Sequence, residues 1–208
     1  MTAPFYMQSD SFEVATANFK VSRLTVADAG GPLTGWFSSP EAQLSLDLPV
    51  RAFTPELVRA AIANAQGNLK MLLAIRAVRD GALIGVITAA SHANHRICHL
   101  RVYIPEGPFS QQDVMSEIVT ALTDKIFYKV PVDKIRALIP SHQQAVIAGF
   151  SSAPAYRSEG VLLRECLSPD GSKRIDMSVY SAFRPGLARR PAAVAPRDAG
   201  TMATGVGS

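Results

Sequence analysis

Apolar and polar residues alternate along residues 18–28, which is the pattern of a half-buried strand, and short apolar runs follow in the middle of the chain. Asp80 and Gly81 separate two of these runs and form a dipeptide typical of hairpin turns. A further run follows directly, so the middle of the chain predicts a meander of antiparallel strands. The predicted strands of the first half occupy residues 18–28, 70–79, 82–91 and 96–104.

Helical periodicity is clear in two segments. Residues 54–67 begin with Thr54 as N-cap and Pro55 at the first helical position, and Gly67 ends them. Residues 110–128 form the longest amphipathic segment of the chain. Leucine, tryptophan and phenylalanine between glycines and prolines predict one short helical piece earlier on. That piece covers residues 33–37.

The last third of the sequence alternates between the two periods. It predicts a buried strand, a short helix and a closing hairpin, which correspond to residues 132–140, 141–152, 160–167 and 173–183. A strand-helix-strand connection implies a parallel pair, whereas hairpins imply antiparallel ones. The expected fold class is therefore α/β (α+β), with a mixed, mostly antiparallel central sheet of about seven strands and about four helices.

Length and composition indicate one domain with extensions. The chain has 208 residues, of which 48% are hydrophobic and 18% charged, as in an ordinary globular protein. We expect an N-terminal extension at residues 1–18, a domain at 19–184, and a tail rich in proline, alanine and arginine at 185–208. The tail is a candidate contact for a protein partner.

Charge and cysteine usage narrow the class of function. The net charge is +4, but residues 184–208 hold four arginines and one aspartate, so the rest of the chain carries only +1. A nearly neutral body makes a nucleic-acid partner unlikely. The N-terminus contains no apolar run that would form a signal peptide or membrane span, and the two cysteines are far apart. We therefore expect a cytoplasmic protein with reduced thiols and no membrane contact.

One cluster of potential metal ligands occurs around the predicted third strand. It contains His92, His95, Cys98 and His99, with no carboxylate in the same segment. Histidines around a hairpin are more often surface or edge-strand residues. No metal is expected.

Several sequence strings resemble a known family in the order of its elements. These are VSRLTVADAGGPLTGWFSSPEAQ near the start, DGALIGVITAA at the hairpin, VMSEIVTALTDKIF in the long helix, and AYRSEGVLLREC with PDGSKRIDMSVYSAF at the end. In this order they resemble the GNAT superfamily of acetyl-CoA-dependent N-acyltransferases, in its branch that acetylates N-termini of ribosomal proteins. The resemblance covers residues 19–184. It implies the GNAT fold and transfer of an acyl group from acetyl-CoA or another acyl-CoA to an amine, either a protein N-terminus or a small molecule.

The loop before the long helix departs from the family pattern. The family has a Q/R-x-x-G-x-G/A loop there, whose backbone amides close on the pyrophosphate. This chain has Pro108, Gln111 and Asp113 at the three defining positions. Ser110 and Asp113 are instead spaced as a capping box, and the carboxylate would repel a pyrophosphate. The long helix thus starts with a self-contained cap.

The resemblance also suggests site residues. Candidate bases are His99 and Glu106, the candidate acid for the departing thiolate is Tyr156, and Glu117 is expected to support the structure. The candidate cofactor contacts are Val102, Tyr103, Ile104, Ser110, Gln111, Gln112, Asp113, His142 and Gln143.

Two interpretations follow from the residues. The first is an N-acyltransferase with atypical cofactor binding. The second is a GNAT-fold protein without cofactor or activity, which acts as a structural or interaction protein in a larger assembly. A third interpretation lies between these two: the protein uses an acyl donor that is linked to a carrier protein and is recognised by its pantetheine arm.

Overall fold

The structure, a computed structural model, describes residues 12–65 and 69–186. These residues form one mixed sheet of eight strands with five α-helices and a 3-10 turn at Val26–Ala29. The strands are β1 (Glu13–Ala15), β2 (Phe19–Arg23), β3 (Lys70–Ala77), β4 (Leu83–His92), β5 (Ile97–Tyr103), β6 (Lys134–Pro140), β7 (Tyr156–Leu167) and β8 (Arg174–Phe183).

The strand order in the sheet is β1-β2-β3-β4-β5-β6-β8-β7. Only β5 and β6 pair in parallel, because a helix connects them, and every other neighbouring pair is antiparallel. The predicted α/β class and mixed, mostly antiparallel sheet are confirmed.

Helices cover both faces of the sheet. They are α1 (Leu33–Ser38), α2 (Pro40–Leu46), α3 (Pro55–Asn64), α4 (Gln111–Lys129) and α5 (Gln144–Ser152). The apolar stripe of α4 and side chains of α5 pack with alternate residues of β2 to β6 in one core cluster. The first three helices pack over the opposite face of β3 to β5 in a second cluster. Both faces of the central strands are thus buried, which agrees with the nearly continuous apolar runs of β3 and β4.

Local signals in the sequence place several elements correctly. Thr54 accepts a hydrogen bond from the Leu57 amide and caps α3, while Ser110 accepts one from the Asp113 amide and caps α4. Gly81 adopts a φ of 71° in the turn between β3 and β4, the left-handed conformation that favours glycine. That loop spans residues 78–82, so it is wider than the dipeptide alone suggests.

The predicted counts of about seven strands and about four helices are each one short. The additional strand is β1, which pairs with β2 and places the start of the sheet within the segment predicted as an N-terminal extension. The additional helix is α2, which begins at Pro40 with the Ser39 hydroxyl accepting from the Ala42 amide. The predicted tail at 185–208 lies outside the described residues from 187 onward.

Candidate functional site

The parallel strands β5 and β6 separate before either strand ends. Their pairing runs from Ile97 and Lys134 to Leu100 and Ala137, and no backbone pairing joins residues 101–103 to 138–140. On its other side β5 remains paired with β4 as far as Tyr103. One edge of β5 is therefore available for a ligand between two strands of the sheet. We refer to residues 101–103 with this gap as the open edge.

Gln143 follows β6, the other strand of this gap, three residues after that strand ends. Its side-chain Nε2 donates to the Ser45 hydroxyl of α2 at 2.6 Å. Its Oε1 is buried and has no hydrogen-bond partner among the described residues. Since a buried carbonyl oxygen without a partner is costly, this atom is suited to accept an N–H from a ligand.

The loop between β5 and α4 satisfies itself. The side-chain Nε2 of Gln111 donates to the Ile104 carbonyl at 2.6 Å, and the Asp113 amide donates to the Ser110 hydroxyl at 3.4 Å. A complete capping box would also have a hydrogen bond from the Ser110 amide to the Asp113 carboxylate. Within the residues that the structure describes, this second bond is not formed, so only half of the predicted box is present. The carboxylate still lies in the first turn of α4, where it complements the helix dipole.

Helices α4 and α5 are in unusually close contact beside this loop. An added Cβ on Gly149 of α5 would lie 2.3 Å from the Cβ of Met115 on α4 and 3.4 Å from the Gln112 carbonyl oxygen. The two helices thus leave no gap at this crossing. Gln112 and Asp113, in the first turn of α4, remain exposed beside this contact.

A cavity of about 320 Å³, the loop cavity, lies between α1, the β3–β4 turn and the β5–α4 loop. Glu106 lines it together with Trp36, Arg79 and Phe109. The guanidinium of Arg79 lies 4.8 Å from the centre of the Phe109 ring. Glu106 is exposed at its rim. Glu106, one of the two predicted bases, therefore faces a mainly aromatic and apolar surface.

A second cavity of about 340 Å³, the cationic cavity, lies on the sheet face below α2. His99 lines it beside Arg101, Arg136 and His92. Burial lowers the pKa of His99, and the charges of His92, Arg136, Arg101 and Lys134 lower it further. His99 is therefore a neutral imidazole at pH 7, the form that accepts a proton.

Tyr156 lies away from both cavities. Its ring packs on Phe150 of α5 with centroids 4.9 Å apart, and its hydroxyl is 3.1 Å from the Thr123 hydroxyl of α4. Burial raises the pKa of Tyr156 well above its usual range. The side chain lines neither cavity, which disagrees with the predicted acid that reaches a departing thiolate.

Glu117 has the structural place expected of it. Its carboxylate accepts from the backbone amide of Asn18 at 2.7 Å and from the Asn18 side chain at 2.9 Å. These bonds tie the middle of α4 to the residue before β2.

The remaining predicted cofactor contacts are either buried residues at the end of β5 or exposed side chains. The side chains of Val102 and Ile104 are buried toward α4, and Tyr103 packs on Trp36 on the opposite face, so the backbone of β5 is what these residues offer a ligand. Gln112 and His142 are exposed, and neither side chain lines a cavity.

Sequence reasoning missed the two arginines of the cationic cavity. Neither Arg101 nor Arg136 is among the candidate residues predicted from the sequence. A signal was present, because His99 and Arg101 on one strand, and Lys134 and Arg136 on another, alternate with apolar residues and therefore share a face.

An acyl-CoA has two parts that a protein must bind, the pantetheine arm and the pyrophosphate. The open edge and the unpartnered Oε1 of Gln143 fit the amides of a pantetheine arm. The loop does not fit the pyrophosphate, because the Asp113 carboxylate adds a negative charge at the helix start and the Ser110 hydroxyl already accepts from the Asp113 amide. The residues present therefore fit one half of the group and not the other.

Neither a metal cluster nor a membrane-spanning helix is found within residues 12–65 and 69–186. No three histidine, cysteine, aspartate or glutamate side chains there come together to hold a metal ion. None of the helices there combines the length and apolarity needed to cross a bilayer.

The fold defined by this sheet, with its one parallel pair opening beside a long helix, is that of the GNAT-family acetyltransferases. A GNAT-family acetyltransferase from Bacillus anthracis superimposes with a TM-score of 0.64 at 13% identity, covering 83% of this chain and 98% of that one. A ribosomal-protein alanine acetyltransferase from Vibrio fischeri gives 0.66 at 13% identity, covering 86% and 100%.

A ribosomal-protein α-N-acetyltransferase in complex with coenzyme A gives a TM-score of 0.68 at 16% identity, covering 82% of this chain and 97% of that one. No protein-family model matches the sequence, and no curated protein does either. The likeness is therefore one of fold.

Proposed function

We propose that the protein is a GNAT-type N-acyltransferase, which moves an acyl group from a pantetheine-bearing donor to the amine of a small molecule or a protein N-terminus. The open edge of β5, together with the unpartnered Oε1 of Gln143 after β6, is the observation that carries the proposal. The backbone of residues 101–103 has no strand partner on this edge, and the Gln143 Oε1 has no hydrogen-bond partner among the described residues. A pantetheine arm carries two amides, which could provide these hydrogen bonds. The coenzyme A held by a structural neighbour agrees with such a donor.

Within this proposal, the donor supplies an acyl group activated as a thioester. The chain's own groups bind the arm along residues 101–103 and keep the acceptor amine unprotonated. His99 is the preferred base, because it is neutral at pH 7 and lies on β5 two residues before Arg101 in a cavity open to a ligand. Its Nδ1 or Nε2 would take the proton that the amine loses. Glu106 in the loop cavity is the alternative base.

The donor contacts of this site are atypical. Gln111 holds the Ile104 carbonyl, and Asp113 opposes a phosphate at the start of α4 by about 1 kcal/mol per unit charge for an exposed pair, or about fivefold in affinity. The acyl donor is therefore recognised mainly by its arm. Acyl-CoA is the simplest such donor, and an acyl group on a carrier protein is another.

A second candidate function has its own observation. The loop between β5 and α4, in which the Ser110 hydroxyl accepts from the Asp113 amide and Gln111 donates to the Ile104 carbonyl, favours a protein that has no cofactor and works through protein contacts. The segment at 185–208 is its proposed contact surface.

Ligand binding separates the two candidates. Thermal unfolding and titration calorimetry are run with acetyl-CoA and with acetyl-pantetheine, which lacks the pyrophosphate. At 100 times the dissociation constant a ligand stabilises the fold by about 2.7 kcal/mol, a shift of roughly 5–10 °C for a domain of this size. We expect both probes to shift the midpoint of unfolding.

A pair of matched variants tests the loop. In Gln111→Ala with Asp113→Asn, the loop loses the bond to Ile104 and the charge at the helix start. In Asp124→Asn, a carboxylate is neutralised on the exposed surface of the same helix, away from the loop. The first variant should bind acetyl-CoA several-fold more tightly than the second. If neither the unchanged protein nor the first variant responds to either probe at millimolar concentration, the acyltransferase proposal is wrong and the second candidate remains.

A further inference from the structure

The floor of the cationic cavity is built from alternate residues of three neighbouring strands. His99 of β5 lies opposite Ala90 of β4 and beside Arg136 of β6, and Arg101 lies two residues further along β5. The His92 ring, at the end of β4, is 5.0 Å from the His99 ring. Basic groups from separate parts of the sequence are thus held on a rigid sheet.

Two guanidinium nitrogens in this floor lack partners. Arg101 Nη1 and Arg136 Nε are buried, and neither has a hydrogen-bond partner within the part of the chain that the structure describes. Arg101 also stands beside the Cys166 thiol, whose pKa is raised by burial and lowered only in part by this arginine. Buried charged donors without acceptors are costly, so both atoms are suited to an anionic ligand.

The nearby carboxylates do not replace such a ligand. The Arg101 side chain is only 16% exposed, whereas its nearest carboxylate, Asp47, is 77% exposed and 3.7 Å away. Glu165 is exposed at the rim. Glu159 is 3.9 Å from Arg136 Nε but is held at hydrogen-bond distance by Lys134. Asp47 and Glu165 therefore lie at the edge of the cavity and the Arg101 side chain at its floor, while Arg136, whose side chain is 35% exposed, keeps its buried Nε without a hydrogen bond.

We propose that the cationic cavity is a binding site for a small molecule that carries a carboxylate or phosphate group, which Arg101 and Arg136 hold. Its volume of about 340 Å³ suits a metabolite-sized ligand and not a folded partner. Planar guanidinium groups match the geometry of both anions. Leu46 and Leu138 on the walls offer apolar contact to the rest of the ligand.

The position of this site also suggests a role. Arg101 contributes its backbone to the open edge and its side chain to the cavity, so the bound molecule would lie next to the arm of an acyl donor. The identification of this ligand as the acyl acceptor rests on the proposed function. Binding of the anion itself does not, and it is measured without any acyl donor.

The histidines report binding directly. His92 and His99 line the cavity, whereas His95 and His142 lie outside it and serve as internal controls. Ring signals of all four are followed by NMR as a function of pH, with inorganic phosphate or succinate as probe and sodium chloride at matched ionic strength as reference. A bound anion favours the imidazolium, so the pKa of His99 should rise. A rise of about one unit corresponds to tenfold tighter binding by the protonated form.

Two charge-removing variants complete the test. Arg101→Met keeps an apolar side chain of similar length and should weaken binding of the effective probe at least tenfold. Arg59→Met removes a charge from the surface of α3, where Arg59 pairs with Glu56, and should change nothing. If Arg101→Met loses the native signals of His95 and His142, Arg136→Met takes its place.

The two probes distinguish the anion. A response to phosphate alone assigns the site to a phosphorylated ligand, and a response to succinate alone to a carboxylate, and either supports the proposal. The proposal is overturned if His99 shifts with neither probe, if His95 and His142 shift as much, or if the shift persists after the arginine is replaced. A failure of acetyl-CoA binding with a normal His99 response would overturn the proposed function and leave this site intact.

Discussion

The crossing of α4 and α5 allows a quantitative prediction, because it depends on the missing side chain of one residue. A Cβ placed on Gly149 would lie 2.3 Å from the Met115 Cβ and 3.3 Å from its Cα. Ordinary carbon contacts are about 3.5–4.0 Å, so Gly149→Ala requires the helices to separate by roughly 1 Å or more. Met115 is fully buried, and the contacting atoms belong to its backbone and Cβ, so no flexible side-chain end can move aside.

The net effect of Gly149→Ala combines two opposing terms. Alanine in place of glycine inside a helix stabilises by about 0.5–1 kcal/mol. Overpacking of a buried contact costs about 1–3 kcal/mol, and this contact belongs at the upper end because both helices are fixed on the same core. We expect a net loss of about 1–2 kcal/mol, or roughly 2–8 °C in the midpoint of thermal unfolding.

Gly35 provides the matched control for this measurement. It lies inside α1, is exposed, and an added Cβ there would meet no atom within 4 Å. Gly35→Ala should therefore raise the unfolding midpoint, by up to about 1 kcal/mol in free energy. Urea and thermal unfolding of both variants decide the question. If Gly149→Ala is as stable as Gly35→Ala, the close approach of α4 and α5 is wrong.

Two side chains on or against α4 give further predictions. Burial alone would raise the pKa of Glu117, but hydrogen bonds from Thr16 and Asn18 lower it. The contribution of this carboxylate to folding stability is therefore complete above the unfolded pKa of about 4.3 and is lost as the pH falls through the lower folded pKa. Glu117→Gln should cost about 1 kcal/mol at pH 7 in urea unfolding, after allowance for its exposure, and the difference should shrink below about pH 4; a constant difference would contradict it. Tyr156→Phe should lower the free energy of unfolding by only about 1 kcal/mol, because Thr123 keeps its hydrogen bond to the Val119 carbonyl. It should leave the rate of acyl transfer unchanged, and a large fall in kcat without a loss of stability would support Tyr156 as the acid.

Much of the fold could be predicted because its signals are local. The cap at Ser110, the turn at Gly81 and the alternation of β5 are each written in a few adjacent residues. The two missed elements had weaker local signals. Strand β1 has only three residues and is defined by its pairing with β2, while α2 follows α1 so closely that the glycines and prolines before it suggested a broken helix. Its start at Ser39-Pro40-Glu41 nevertheless carries the same residue types as the correctly predicted start of α3.

The site was less accessible to sequence reasoning because its key contacts are long-range. Gln143 and Ser45 are 98 positions apart, and nothing in the sequence near either residue indicates their bond. The pairing of His99 with Arg136 depends on the parallel register of β5 and β6. The loop was different: its altered residues were visible in the sequence, and the structure adds that Gln111 fills the Ile104 carbonyl with its own amide.

The two glutamines that border the open edge have opposite consequences for specificity. Gln111 closes an acceptor on the side where a nucleotide would lie, whereas Gln143 leaves an acceptor open on the side where an arm would lie. Under the proposed function, selection of the donor would rest on its arm and selection of the acceptor on the cationic cavity. Arg101 belongs to both regions, since its backbone lies on the open edge and its guanidinium in the cavity floor. An anion held by this guanidinium would therefore lie next to a donor on the open edge, so both ligands of the proposed reaction would meet at a single residue.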